Sequence, residues 1–493
     1  MNPLLAAVIC ACGIFGLFYL DRDKTIRTSK ALWLPVIWIA IVGSRSASEW
    51  LGIAPTGANV QYDGSPVDAA TFGVLLAAAI CVLITRFART RVLLMSNFPI
   101  LVYFFYCLLS VSWSYYPDVS FKRWIKAIGD LAMVLVIVSD RQPVVSLSRL
   151  ISRVGFVLLP ASVLLIKYYP ELGRGYSPIG EQMNTGVTTN KNVLGVVLLV
   201  ISLCTLWRVM ALMRAKGTPD RGRHLFAQWI LLAFGVVLFW MAHSATSLVC
   251  FVLGGGIIIA TNLRSFRIRP ALVHVLCFAI IFVGGVAFLL GGEGGVTQAL
   301  GRNSNLSGRT VIWAALIPAA PNSVVGAGFE DFWISPSVQE FQRRMVGWWH
   351  PERLNEAHNG YIEVYLNLGW VGVGLISIIL VTGYGRAVKA FRLNPKVGGL
   401  FLAYIIVSTV YSITEAGFRM LDPIWIFLLL SVVGSSGVTA GLFGGKSRSK
   451  VALSAYRGGR ILGNNEPEPS WGTIYAARSG LASFEKVREN GPR

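Results

Sequence analysis

Two side chains stand where polar sequence meets apolar sequence, and both are of types that handle anions or protons. Arg309 lies in SGRTVIW, directly before an amphipathic stretch. An arginine fork can hold a diphosphate bidentately. A helix capped by Ser307 would point its N-terminus toward the same anion. Arg302, seven residues earlier, could share that anion. His358, in AHNGY, immediately precedes an apolar run. A histidine of near-neutral pKa at a membrane–water boundary could act as general base toward a hydroxyl. Beside it are Asn359 and Glu363, the latter already inside the apolar run. A charge there is costly, so a functional or pairing role is the default. The plain alternatives are a solvated loop arginine and an interfacial histidine that only packs.

Other groups extend this set. Lys191 and Arg174 lie in the polar segment 168–192, and Lys122 and Arg123 follow the turn SYYPD. Positive charge in these places suits a phosphate-bearing lipid. Glu415 and Arg419 in ITEAGFRMLD have the i, i+4 spacing of a mutual ion pair. His243 in HSATS reads as part of a polar corner between two spans, where a structural hydrogen bond is the simpler role. His350 reads as loop structure, and Trp333, Trp348 and Trp349 as interfacial anchors that could also stack on sugar rings. Glu330-Asp331 is the one acidic pair in the large polar loop, so metal-dependent transfer has little support, and no metal or other cofactor is expected. A Walker loop and a G-x-S-x-G elbow are both missing from the sequence.

The elements that must position these residues are apolar spans. The chain has 493 residues, of which 54% are hydrophobic and 14% charged, with mean hydropathy +0.60. This composition describes an all-α polytopic integral membrane protein. Apolar stretches begin near Leu4, Ala31, Ala69, Val92, Ile125, Val154, Asn192, Leu225, Ser247, Pro270, Tyr361, Leu400 and Pro423. They predict about 12–13 transmembrane helices over 1–445, with a large polar loop at 291–360 and a disordered tail at 446–493. A net charge of +20 would suggest nucleic acid only if the basic residues shared one surface. Instead they cluster between spans at 21–30, 86–91, 140–153, 214–224, 263–269 and 385–396. The positive-inside rule puts these loops and the tail in the cytoplasm, and the large loop on the other face, periplasmic in a Gram-negative cell. The N-terminus lacks a basic n-region and reads as a retained first span. All seven cysteines lie in apolar stretches, so they read as small buried hydrophobes rather than disulfides or zinc ligands.

Five segments in series carry a resemblance: TGVTTNKNVLG (185–195), HSATSL (243–248), LGRNSNLSGRTVIW (300–313), VVGAGFEDFW (324–333) and AHNGYIEVYLNLGWVGVG (357–374). Together they resemble the O-antigen ligase/polymerase family, most closely its exopolysaccharide polymerase branch. The resemblance implies a metal-independent glycosyltransferase of the inner membrane with an undecaprenyl-diphosphate-linked saccharide as donor. The family's loop arginine falls on Arg309, its histidine on His358 and the GR arginine of the polymerases on Arg302. Lys191 stands in a motif that often reads His-Lys-Asn, and here the first position is Asn190. Ala245 and Thr246 replace an arginine frequent in ligases, which favours polymerase. The implied reaction is one inverting displacement. His358 takes the acceptor hydroxyl proton, while Arg309, Arg302 and Lys191 hold the diphosphate, and Asn359, Glu363 and Glu415 support them. Partners would be the lipid donor, the acceptor glycan, the bilayer, a chain-length regulator and an export complex. The alternatives are a ligase moving finished glycan to a lipid A core or a protein, and an exporter of lipid-linked glycan. An exporter should show repeated halves or charges at span midpoints.

Overall fold

The computed structural model describes residues 2–23, 28–55, 64–176, 180, 182–215, 220–269, 271–272, 274–275, 278–279, 305–345 and 355–443. The main helices are α1 Pro3–Leu20, α2 Trp33–Val42, α3 Pro66–Thr85, α4 Phe87–Ser96, α5 Phe98–Ser110, α6 Pro117–Val138 and α7 Pro143–Tyr168. They are followed by α8 Lys191–Arg214, α9 Arg221–Ala242, α10 Ala245–Asn262, α11 Asn305–Leu316, α12 Gly360–Leu393, α13 Pro395–Thr414 and α14 Pro423–Thr439. A two-stranded antiparallel hairpin, Arg174–Tyr176 with Gln182–Asn184, is the only sheet among the described residues. The chain is thus an all-α polytopic membrane protein.

Local chemistry explains where the helices start. Proline, pre-set for helical φ and needing no intrahelical donor, opens α1, α3, α6, α7, α13 and α14 at their first turns. Asn190, Asn359 and Asp422 cap α8, α12 and α14 by accepting backbone N–H groups.

Each expected span start falls on a helix except Pro270, which lies outside the described residues, as do Arg302, Trp348, Trp349, His350 and the tail 446–493. Among the described residues, 8 helices are long and apolar enough to cross a bilayer, or up to 9 if a bent pair is one span. That pair is α4 and α5, bent by 85°. Pro99 follows the break, and Asn97 turns its amide onto the Leu93 carbonyl at 2.7 Å. Helix α6 carries Lys122, Arg123, Lys126 and Asp130, which interrupt its apolar run, while α2 and α14 are shorter than a full span.

Helices α8, α13 and α14 form the buried centre, and α1 turns Leu4, Val8, Phe15 and Tyr19 outward. At one end of the bundle the basic loops find acidic partners. Arg208 pairs with Asp21 at 2.7 Å, Arg149 with Asp23 at 3.8 Å and Arg86 with Asp140 at 3.5 Å. Arg208 is about 24 Å along α8 from Asn192, at 1.5 Å per residue. Asn192 therefore marks the opposite end, where the polar loop returns.

That loop has a small apolar core of its own. Ile312, Leu316, Phe332, Phe341, Met345, Ala357 and Leu366 pack together. The segment 323–328 is stitched to α12 where that helix breaks at Gly369. Ala327 and Gly328 donate to the Leu366 and Asn367 carbonyls, and Trp370 and Val371 donate to Ser323 and Val324. Gly369 has φ 62°, and a Cβ there would overlap the Val324 carbonyl. Gly369→Ala is expected to lose at least about 2 kcal/mol of stability through strain and collision. Gly374, on the same helix with open space around it, is the control, and its alanine variant should unfold like the native protein. Thermal unfolding in detergent micelles compares them, and equal midpoints would refute this account of the break.

Candidate active site

Helix α13 ends at Thr414, and the next residue leaves helical geometry: Glu415 has φ −142° and ψ 158°. This turn carries its carboxylate away from the helix face that the i, i+4 spacing assumed. The expected Glu415–Arg419 pair therefore does not form. Instead, one oxygen of the buried Glu415 carboxylate lies 3.1 Å from Arg309 Nη2, and the other lies 3.5 Å from His358 Nδ1. Asn192 Nδ2 reaches that second oxygen at 3.4 Å. Arg309 also donates to the Thr414 carbonyl. Four separated segments thus meet on one side chain.

Arg309 comes from α11, which begins at Asn305, so Ser307 is inside the helix rather than its cap. His358 precedes the α12 cap and is held with φ 47°, a left-handed backbone that costs a residue other than glycine energy. Asn359 fixes that turn by accepting from Tyr361 and Ile362 and donating to the Ile413 carbonyl at 2.9 Å. Glu356 completes the arrangement, 2.9 Å from His358 Nδ1.

A second layer lies behind. Arg419 approaches Glu330 at 3.7 Å, Glu356 at 3.8 Å and Glu363 at 3.9 Å. Glu363 accepts from Trp333 Nε1 at 2.6 Å and from the Ala357 backbone N–H at 2.9 Å. It therefore ties the His358 segment to the polar loop. Trp333 packs edge-on against Phe332 and Phe341, so it serves this layer as a hydrogen-bond donor as well as an apolar anchor. Asp331 accepts from the Tyr115 and Tyr116 backbone N–H groups, and Arg123 donates to the Glu330 carbonyl.

Electrostatics follows from this geometry. Burial alone would lower the His358 pKa, but the Glu356 and Glu415 carboxylates outweigh it and push it up to about 9. The histidine is thus held as an imidazolium at neutral pH, not near its ordinary value. Burial would raise the Glu356 carboxyl, but the His358 ring holds it below its usual range. For Arg419, burial is overcome by Glu363, Glu330 and Glu356, and its pKa is raised. Oxygen and nitrogen atoms of Glu356, His358 and Glu415 lie within 4.8 Å of one another, a spacing open to a divalent cation. Arg309 and Arg419 already face the same carboxylates, so a cation would have to compete with two guanidinium groups.

The structure brings together Arg309, His358, Asn359, Glu363 and Glu415. Lys191 opens α8 but forms no ion pair with a described residue, and Asn192 beside it is the one that enters the cluster. Two of the basic groups read as kept for an anion have structural uses: Arg174 donates to the Ile166 carbonyl and Arg123 to the Glu330 carbonyl. His243 ends α9 in a left-handed turn and lies exposed, its ring 6.4 Å from that of Trp240. Glu356 was missed by sequence reasoning, although its place two residues before His358 was a signal. Asn192 and the Arg419 contacts depend on distant segments and left no such signal.

Residues 229–377 match the family described as O-antigen ligase. The chain resembles the O-antigen ligase family. The match includes Arg309, Glu356, His358 and Glu363 but stops short of Glu415. The exopolysaccharide production protein ExoQ of Rhizobium meliloti (strain 1021) is 25% identical over 287 residues. That similarity covers 57% of this chain and 63% of ExoQ.

The raised His358 pKa has a consequence for stability. Its folded value near 9 exceeds the unfolded 6.5, so the pairing contributes stability that is fully present below pH 6.5 and is lost as pH rises through 9. The thermal midpoint should therefore fall across that window, and His358→Gln should flatten the fall. An undiminished slope in the variant would assign it to another group.

Proposed function

We propose that this chain is a membrane glycosyltransferase of polysaccharide synthesis, joining undecaprenyl-diphosphate-linked repeat units at the periplasmic face of the inner membrane. The observation that carries the reading is the Glu415 carboxylate shared by Arg309 and His358. A cation fork suited to a diphosphate and a histidine able to take a proton thus meet on the two oxygens of one carboxylate, the pair of functions that this displacement needs.

In this reaction the acceptor hydroxyl oxygen attacks the anomeric carbon, and the bond from that carbon to the diphosphate oxygen breaks with inversion. The hydroxyl proton passes to the unprotonated imidazole of His358. The leaving diphosphate keeps the electron pair and is stabilised by Arg309, with Arg302 and Lys191 as further cations. His358 must lose its resting proton before it can serve, while Glu356 and Glu415 make it a strong base once it has done so.

The ligase reading has its own support, because the matched family is described by that activity. It uses the same lipid donor and the same displacement, and only the acceptor differs. Mass analysis of lipid-linked glycans in a deletion strain separates the two. Single repeat units without long polysaccharide are expected for a polymerase. Long polymer left on the lipid carrier would mean a ligase, and normal glycans would overturn both.

His358→Ala and Arg309→Ala are each expected to reduce polymer synthesis at least about a hundredfold. Full synthesis by His358→Ala would remove the base assignment. With purified protein and lipid-linked donor, the rate should climb about tenfold per pH unit from 7 toward the His358 pKa and then level off. A flat profile would exclude a rate-limiting proton transfer to His358.

A further inference from the structure

The charges around the candidate site present a problem for any anionic donor. Glu330, Glu356, Glu363 and Glu415 are set against Arg309, Arg419 and His358. Arg419 is surrounded by three of these carboxylates, and Arg309 is held at its head by Glu415 and at its other nitrogen by the Thr414 carbonyl. The guanidinium best placed for a diphosphate is therefore occupied from within the chain.

We infer that Glu415 is a positioning residue that acts as an internal stand-in for the donor diphosphate. It holds Arg309 beside His358 in the unliganded protein and yields the guanidinium when the diphosphate arrives. This rests on the reading of the chain as a diphosphate-donor transferase. Arg309 turns both terminal nitrogens toward oxygen, Nη2 to Glu415 and Nη1 to the Thr414 carbonyl, and the Nη2 donor can pass from the carboxylate to a phosphoryl oxygen. Glu415 stays in place during the exchange. Its second oxygen remains with His358, and the Asn192 amide keeps it there. Donor binding thus frees one carboxylate oxygen without releasing the histidine.

The arrangement makes an unusual demand on mutants. Removing the charge of Glu415 should strengthen diphosphate binding, because the competitor for Arg309 is gone. Above the His358 pKa, where the ring is already unprotonated, the same change should slow turnover, because losing one of its two carboxylate partners makes the imidazole a weaker base. A purely structural Glu415 would weaken both together.

The test uses the full-length protein in nanodiscs, free of divalent metal, with inorganic diphosphate as the probe in titration calorimetry. Glu415→Gln should bind diphosphate about tenfold more tightly than the native protein, the order expected for loss of one close, partly buried competing charge. With lipid-linked donor above pH 9, its KM and kcat should both fall. Glu356→Gln removes a like charge that touches His358 and Arg419 but not Arg309, and should give a clearly smaller gain. Equal gains in the two variants would reduce the effect to bulk electrostatics and overturn the inference, as would unchanged or weaker binding by Glu415→Gln. If that variant does not fold, Glu415→Asp decides. Its shorter side chain should loosen the hold on Arg309 and tighten diphosphate binding by a smaller factor, and no gain overturns the proposal. Diphosphate binding that survives Arg309→Ala would instead overturn the transferase reading itself.

Discussion

A carboxylate buried where a helix ends must be met by cations or hydrogen-bond donors, because leaving it alone away from water is costly. Glu415 is met by Arg309, His358 and Asn192, which come from three other segments. The rest of the structure can be understood through that meeting. The ends of α8 and α13, the start of α12 and the helix α11 all converge on one side chain. A shift of any one of them would cost that charge a partner.

The membrane imposes the second constraint. Charge costs less at the ends of spans than along them, and apart from groups such as Asp130 in α6, held by Trp38 and the Leu421 backbone, the paired charges gather in two zones. At the basic end, Arg208, Arg149 and Arg86 neutralise aspartates in what amounts to structural bracing. At the other end the same kind of pairing gathers glutamates around Arg419 and His358. Backbone strain is concentrated in the second zone, with Asp220 at the basic end as the exception among the described non-glycine residues. His358 and Glu330 both have positive φ, as do His243 and Leu421 in the turns beside it. Such backbones persist only where the surroundings impose them, and they concentrate at functional sites.

The polar loop is positioned by backbone rather than by side chains. Gly369 interrupts α12 and frees carbonyl and amide groups that would otherwise bond along the helix, and the segment 323–328 takes them up. This docking brings Trp333 to Glu363, and Glu363 in turn holds the backbone just before His358. A glycine eleven residues beyond the histidine thereby helps to set the histidine's position, which places the apparent loop chemistry on a rigid frame.

Much of this was legible in the sequence because it is local. Apolar runs long enough to span, prolines in first turns and Asn or Asp caps each act within a few residues, so the all-α membrane class and nearly all the helix positions follow from them. His358 and Glu363 were likewise legible, as polar residues at the edge of an apolar run. Pairing was not. The i, i+4 rule joined Glu415 to Arg419, yet helix α13 stops one residue before Glu415 and the rule no longer applies. Arg309 lies 106 residues and Asn192 223 residues from Glu415 in the chain, so no periodicity relates them. Tertiary structure alone decided which carboxylate meets which cation, since that choice depends on where helix ends meet in space, and with it the replacement of a near-neutral histidine by one held protonated.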